Sequence, residues 1–376
     1  METIFWVSAA LVLYVYVGYP ALLGVWCRLR GAAAPGTQSP AVTLPGVSVI
    51  IAARNEAARL PARIENLLQS DYPMDRVQII VASDGSSDDV IAAVEPFGGR
   101  IELLMLPPRG KANALNAAVM RARHPILVFA DARQRFAADA IRRLVSHFGD
   151  PTVGAVSGEL ILDCEHTRRQ GRPSAGAAKA GHHVVHGSST IADGVGAYWT
   201  YEKWIRRHEA LIDSTPGVTG AIYAMRRWLW QPLPSDTILD DVLTPMRVVL
   251  RGFRVTFDAE AHAFDVAAPD APAELRRKVR TLAGNYQLLR FEPRLLLPGT
   301  NPIWLQFMSH KVARLAVPYA LAGLFVSSAM LCTSAVVYAV AFAGQAAFYG
   351  LAVYGALLDR RGRVTPPAPE VFREAA

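Results

Sequence analysis

The sequence predicts an α/β protein built on a doubly wound, mostly parallel sheet of Rossmann-like form, with transmembrane helices at both ends. Three observations predict it. Short apolar runs alternate with helix-patterned segments through the first half of the central region. Long uncharged runs stand near both termini. A polar cluster follows each of four apolar runs.

The N-terminal run from Ile4 to Cys27 carries no charge. At a rise of about 1.5 Å per residue it crosses a hydrocarbon core of roughly 30 Å. Trp6 and Trp26 stand near its ends, where amphipathic aromatics favour the interface. A cleaved signal peptide fits poorly: no basic residue precedes the run, it is too long, and no small-residue cleavage site follows. Residues 31–46, rich in Gly, Ala and Pro, read as a linker.

VSVIIAA, starting at Val47, is an apolar β-branched run of the kind found in a fully buried strand. Residues 57–69 follow with Leu60, Ile64, Leu67 and Leu68 at helical spacing. VQIIVAS is a second strand, with a helix starting near Asp88. IELLML is a third, KANALNAAVMRA a helix, and ILVFA a fourth strand. Continuous apolar strands alternating with helices predict a parallel sheet covered on both faces. Ligands of such sheets bind at the carboxyl ends of the strands.

From Pro151 to about Pro302 the pattern is less regular. Residues 165–196 read as a long loop, and its histidines (His166, His182, His183, His186) lack metal-ligand spacing. Trp199, Tyr201 and Trp204 read mainly as core packing. Leu315 to Leu358 is again free of charge, about twice the length of one span. A turn at Ala343-Gly344-Gln345 would divide it into two helices. The expected divisions are thus a helix over 1–30, a linker over 31–46, a globular α/β domain over 47–300, an interfacial helix over 301–314, two spans over 315–358 and a tail over 359–376.

Basic residues flank each apolar run: Arg28 and Arg30, then His310, Lys311 and Arg314, then Arg360, Arg361 and Arg363. Positive residues favour the cytoplasmic side, so the expectation is a multi-pass protein of the inner, cytoplasmic membrane with its globular domain in the cytoplasm. These clusters account for part of the net charge of +7 through anionic lipid. No basic–aromatic module accompanies them, so no nucleic-acid partner is expected. Cys27, Cys164 and Cys332 have neither metal-type nor redox-type spacing, which fits a reducing compartment.

The four polar clusters are ARNE (with Arg54, Asn55 and Glu56), SDGSSDD (Ser83 to Asp89), PPRGKAN (with Gly110 and Lys111 opening a helix) and DARQRF (with Asp131). Asn, Asp and Ser also cap helices and make turns. Four such clusters at one sheet edge exceed what capping requires, and together they suit a nucleotide diphosphate. Carboxylates accept hydrogen bonds from ribose or base. A Gly-Lys pair at a helix start offers N–H groups, a dipole and a cation to phosphate. An aspartate after the fourth strand suits a divalent cation, which prefers oxygen ligands.

The series VSVIIAARNEAARL, VQIIVASDGSSDDV, RGKANALNAAV and ILVFADA resembles the inverting family-2 glycosyltransferases, the group of cellulose-synthase-like and hyaluronan-synthase-like enzymes. The resemblance covers roughly residues 45–290. It implies a GT-A fold, a nucleotide-sugar donor with UDP the family expectation, and a divalent cation, Mg²⁺ or Mn²⁺. Glu56, Asp84, Lys111 and Asp131 are the implied donor-binding residues, Asp84 for the nucleoside, Lys111 for phosphate and Asp131 for the metal. The chain departs from the Asp-x-Asp pattern at Arg133, which leaves one carboxylate ligand missing.

TILDDVLTPMRVVLRGF resembles the segment that carries the catalytic base. Asp241 matches the base and Asp240 the acidic residue before it. A base is chemically required because an acceptor hydroxyl attacks well only as it loses its proton. RKVRTLAG resembles the Q/R-x-x-R-W closing motif: Arg277 and Arg280 match, and Thr281 replaces the aromatic. Arg280 is the candidate for stabilising the departing diphosphate. The expected function is sugar transfer to a membrane-proximal or lipid-linked glycan acceptor in polysaccharide or glycolipid synthesis. The alternatives are a processive synthase subunit working with polysaccharide-assembly partners, and a non-catalytic nucleotide-binding component of such an assembly.

Overall fold

A computed structural model describes residues 1–31, 44–162, 190–265 and 271–362. Most of the expected linker, the histidine-rich stretch up to residue 189, Cys164 and Arg363 lie outside the described residues. The chain divides into two compact units, one of Met1–Gly18 with the C-terminal segment from Ala316, the other Tyr19–Leu315.

The second unit is built on an eight-stranded sheet. Its first half is the expected one: β1 (Val47–Ala53), β2 (Val77–Asp84), β3 (Glu102–Leu106) and β4 (Ile126–Asp131). They lie in the order β3-β2-β1-β4, all parallel. Beyond β4 come β7 (Ile222–Arg226), β6 (Val153–Leu162), β8 (Arg254–Asp265) and β5 (Arg135–Phe136). Here the sheet is mixed, because β7 runs antiparallel to both β4 and β6, and β5 antiparallel to β8.

Side chains alternate across β1, so Val47, Val49 and Ile51 enter one core and Ile50 the other. The first core takes α2 (Leu60–Leu68), α3 (Val90–Val94) and α5 (Ala140–Ser146) through Leu60, Ile64, Leu67, Val90, Ile141 and Leu144. The second takes α4 (Lys111–Arg121) and α7 (Asp240–Leu250) through Leu115, Ala118, Val242, Leu243 and Met246. Burial on both faces explains why these strands read as unbroken apolar runs. Two further helices of this unit are α6 (Thr190–Ile212) and α8 (Ala271–Phe291).

Among the described residues three helices are long and apolar enough to cross a membrane: α1 (Glu2–Leu29), α9 (Trp304–Leu331) and α10 (Val336–Leu358). Within α1 a π-helical turn spans Tyr14–Gly18, just before Pro20, which has no N–H to return to the preceding turn. In the first unit Phe5 packs edge-on against Tyr338 at 4.8 Å.

Two boundaries differ from expectation. The turn between the C-terminal helices lies between Leu331 and Val336, where the Ser334 N–H donates to the Leu331 carbonyl. Ala343-Gly344-Gln345 is inside α10; a glycine costs a helix only about 1 kcal/mol, so it does not end an apolar one. Residues 301–314 are not a separate interfacial helix either. From Trp304 they form the start of α9, which places His310, Lys311 and Arg314 within it. Trp204 is also not core: it is 39% exposed, stacked on His208 and lying against Gly24 of α1.

Candidate active site

Parallel register brings the strand ends level. Ala52 of β1 pairs with Ala82 on one side and Asp131 on the other, and Ala53 pairs with Ser83. The loops leaving β1 and β2 are then joined by side chains. Asn55 adopts φ +56°, a left-handed conformation that Asn tolerates better than most residues. Its Oδ1 accepts from the Ser87 N–H at 2.8 Å, and its own N–H donates to Ser86 Oγ at 3.0 Å. The Ala57 N–H donates to Asp88 Oδ2 at 2.7 Å. Gly85 sits at φ +59°, and a Cβ there would come within 2.6 Å of Pro108, so the turn requires glycine.

Buried Asp84 joins the third loop to this edge. Its Oδ1 accepts from the N–H groups of Arg109 at 2.8 Å and Gly110 at 2.9 Å. Arg54 stands 3.8 Å from its Oδ2. These bonds fix the backbone from which Lys111 departs. Glu56, the remaining donor candidate, is engaged by Arg59 one turn along, at 2.5 Å.

Lys111 is the centre of the site. Its Nζ lies 3.3 Å from Asp240 Oδ2 and 3.6 Å from Asp131 Oδ1. Three segments far apart in sequence thus meet at one ammonium. Burial opposes its charge, but Asp240, Asp131 and Asp241 outweigh burial and hold its pKa above the usual lysine value.

Asp240 and Asp241 occupy the first turn of α7, where the helix dipole favours anions. Pro245 lies inside that helix and has no N–H for the Asp241 carbonyl four residues back. That carbonyl instead accepts from the Val218 N–H at 2.9 Å. The freed carbonyl therefore ties Asp241 to the loop before β7. Its carboxylate lies over Gly220, where a Cβ would fall 3.1 Å from Asp241 Oδ2. Burial and then the neighbouring Asp240 push the Asp241 carboxyl up to about 6, while Lys111, Lys311 and Arg206 pull it back. Two adjacent carboxylates so occupy different environments: Asp240 is paired with the lysine, and Asp241 is poised to take a proton near neutrality.

Beneath them, Tyr223 stacks on Phe129 at 4.5 Å, and Phe129 on Trp230 at 5.3 Å. The buried Tyr223 hydroxyl has no hydrogen-bond partner among the described residues. The three carboxylates around it, after burial itself, raise its pKa and keep it protonated as a donor.

Helix α8 holds the segment entering α7. Gln287 Oε1 accepts from the Ile238 N–H at 2.9 Å, Gln287 Nε2 donates to the Asp236 carbonyl at 2.8 Å, and Arg280 donates to the Ile238 carbonyl at 3.3 Å. A Cβ on Gly284 would come within 2.4 Å of Leu239 Cγ, so the helix rests directly on this segment. Arg277 lies over the Trp199 ring at 5.8 Å. Arg133, at the unexpected position after Asp131, is turned to Asp265 at 3.0 Å, and Gln134 donates to the same carboxylate oxygen at 2.8 Å.

No group of three or more His, Cys, Asp or Glu side chains suited to a metal occurs among the described residues. Asp131 offers one partly exposed carboxylate at the strand edge. One protein carboxylate fits Mg²⁺ or Mn²⁺ when phosphate and water supply the remaining oxygens.

The structure therefore gathers Lys111, Asp131, Asp240 and Asp241, sets Asp84 one residue from the lysine's own turn, and brings Arg280 to the segment before Asp240. Glu56 and Arg277 point to other partners. Motif reading missed Gly220, Tyr223, Gly284 and Gln287, since each acts through a neighbour distant in sequence. The small and aromatic character of Val218 to Arg227 is the sequence signal that could point to the first two.

Residues 48–227 match the family model described as Glycosyl transferase family 2. An N-acetylglucosaminyltransferase of Rhizobium leguminosarum bv. trifolii is 33% identical over 126 residues, 32% of this chain and 69% of that protein. Poly-beta-1,6-N-acetyl-D-glucosamine synthases of Staphylococcus aureus are 23% identical over 256 residues, 65% of this chain, and the match spans 56% of their length. The solved structure of mannosyltransferase PcManGT from Pyrobaculum calidifontis, in complex with GDP-Man and Mn2+, superposes with a TM-score of 0.65 over 92% of each chain at 22% identity. At that identity the likeness concerns the fold.

Proposed function

The chain belongs to glycosyl transferase family 2, and from that premise we propose that it is an inverting transferase of the GT-A fold, moving a sugar from a nucleotide-sugar donor, UDP-linked by family expectation, to a membrane-proximal or lipid-linked glycan acceptor. One observation carries the reading: Lys111 bridges Asp131 and Asp240 at the strand edge, beside an Asp241 whose pKa is raised towards neutrality.

In this reading Asp84 and the loops joined by Asn55 receive the nucleoside, and Glu56 borders them. Lys111 meets the diphosphate at the start of α4, where N–H groups and the helix dipole also favour phosphate. Asp241 removes the acceptor hydroxyl proton as its oxygen attacks the anomeric carbon. The bond from that carbon to the diphosphate breaks on the opposite side, so configuration inverts. The negative charge that appears on the leaving diphosphate is met by Lys111 and Arg280. A divalent cation held by Asp131 and the donor phosphates would add further neutralisation of that charge. Arg277 and Arg280 belong to the helix that closes over the site. Asp240 keeps Lys111 in place and raises the basicity of Asp241.

The apolar helices support membrane attachment. The basic residues beside them favour a cytoplasmic catalytic domain on the inner membrane, with polysaccharide-assembly subunits as candidate partners. The test is nucleoside diphosphate release by purified protein in detergent, with a panel of nucleotide sugars and membrane lipid extract, with and without Mg²⁺ or Mn²⁺. Release from one donor with inversion at the anomeric carbon is expected. Nucleotide binding without release from any donor, even with cell extract added, would overturn the assignment as an enzyme.

A further inference from the structure

A crevice lined by Glu159, Trp199, Glu202, Lys203, Arg206 and Thr219, among others, reaches Asp241 through Thr219, which precedes Gly220. Its charges are unevenly matched. Glu159 is paired with Lys203 at 3.1 Å, and Glu202 with Arg314 at 2.5 Å and His310 at 3.1 Å. Among the described residues Arg206 donates only to the Thr219 hydroxyl, at 3.2 Å. Neither Arg206 nor Lys311 has a carboxylate within ion-pair distance among the described residues.

These two cations are held at the base by rigid parts. Gly217 marks the distance: a Cβ there would stand 3.6 Å from Lys311 Nζ and 3.6 Å from the Asp241 carbonyl oxygen. Thr219, which takes the Arg206 hydrogen bond, precedes the Gly220 on which the Asp241 carboxylate rests. His310, next to Lys311, is fixed by both ring nitrogens: Nδ1 lies 2.8 Å from Glu209 and Nε2 3.1 Å from Glu202. Glu202, Arg206 and Glu209 share α6, so Arg206 and Lys311 are clamped to each other's elements. Tyr19 of α1 adds a hydrogen bond to Glu209 at 2.5 Å.

Buried or half-buried cations without counter-ions are costly. Resting on the function proposed above, we propose that Arg206 and Lys311 bind an anionic group of the acceptor, a phosphate, beside the hydroxyl that Asp241 deprotonates. Of the nearby carboxylates, Glu159 and Glu202 already have their own cations, and Asp241, on which both Arg206 and Lys311 act, is the one left facing the phosphate. Lys311 lies near the start of α9, so a phosphate joined to a membrane lipid would reach it from the apolar side. A water-soluble sugar phosphate offers the same chemistry.

The test uses full-length protein in detergent with a donor that it turns over. Three acceptors share one terminal sugar: a short-chain polyprenyl-diphosphoryl sugar, the corresponding sugar 1-phosphate and a neutral alkyl glycoside. Wild type is expected to favour the phosphate-bearing acceptors by about tenfold or more in kcat/KM, the size of one charge-assisted hydrogen bond. Arg206→Gln and Lys311→Gln should lose that preference through KM for the charged acceptors, and Lys311→Arg should restore most of it. Preference for the lipid-linked form alone assigns the lipid source, and equal use of both phosphates assigns the phosphate itself. With every variant compared on the level part of its pH profile, a neutral acceptor used as well as the charged ones, or an equal loss on all three, would overturn the inference and leave the transferase assignment standing. Acceptor binding by equilibrium titration in the presence of donor nucleotide decides the same question if the chemical step is silent: weakened phosphate-acceptor binding in Lys311→Gln supports it, unchanged binding refutes it.

Discussion

The two halves of the site are built in opposite ways. The proposed donor half, at the ends of β1, β2 and β4, is made of contiguous motifs whose loops hold one another through short polar bonds, such as Asn55 to Ser87 and Asp84 to Gly110. The base half is made of single residues from α6, the loop before β7, α7, α8 and α9, joined by packing and by one proline-displaced carbonyl. Lys111 is the joint, since its ammonium touches a carboxylate from each half. The difference teaches that the nucleotide end of such a site is set by local backbone geometry. The acceptor end is set by tertiary packing, and it can change without disturbing the first.

If that division is right, Lys111→Met should have the largest effect of the variants that sharpen it, because it acts on both halves. Turnover is expected to fall about 10²–10³-fold, the scale of losing one fixed charge at a developing anion, with donor KM also raised. An effect on KM alone would confine the lysine to the donor half. Gly284→Ala comes next. The added methyl meets Leu239 and must push α8 off the segment entering α7, at about 1–3 kcal/mol of overpacking. Melting temperature and kcat should both drop while donor nucleotide affinity, read by titration, stays within about twofold. Arg133→Ala is smaller. Its charge is already engaged by Asp265, an exposed-to-buried pair of modest worth, so a few-fold rise in donor KM with little change in kcat is expected.

The smallest effect is on pH dependence. The Asp241 carboxyl must be ionised to act as base, and burial with Asp240 pushes it up to about 6. The acceptor-dependent kcat/KM should therefore rise with pH through about 6 and then level. Lys311 lowers that pKa, so Lys311→Gln should move the rise to higher pH. A rise moved to lower pH, or not moved, would mean that the lysine charge does not reach the base.

Legibility in the sequence followed the same division. The four parallel strands and the polar groups after them were readable because each is a contiguous apolar run followed at once by its chemistry. The antiparallel β7 was not, because its place between β4 and β6 is decided by long-range pairing. Asp240 and Asp241 were visible as a pair, with Asp241 matched to the base by resemblance, but their different surroundings, Lys111 on one side and Gly220 on the other, come from tertiary packing. Arg206 carried no motif at all. The C-terminal turn was misplaced because Leu315 to Leu358 offers no charge as punctuation and Gly344 attracts a break that the helix does not need. His310 and Arg314 read as headgroup-facing flanks, yet Glu202 and Glu209, about a hundred residues earlier, hold them inside the fold.

The central claim is that Asp241 is the base of a transferase whose donor half is complete without it. The direct measurement is donor nucleotide affinity and nucleoside diphosphate release in Asp241→Asn, set against wild type with the same acceptor. Nearly unchanged affinity is expected, with a fall in release of about 10²–10⁴-fold, the contribution of a positioned general base. Normal release by the variant, or loss of nucleotide binding with the fold intact, would contradict it.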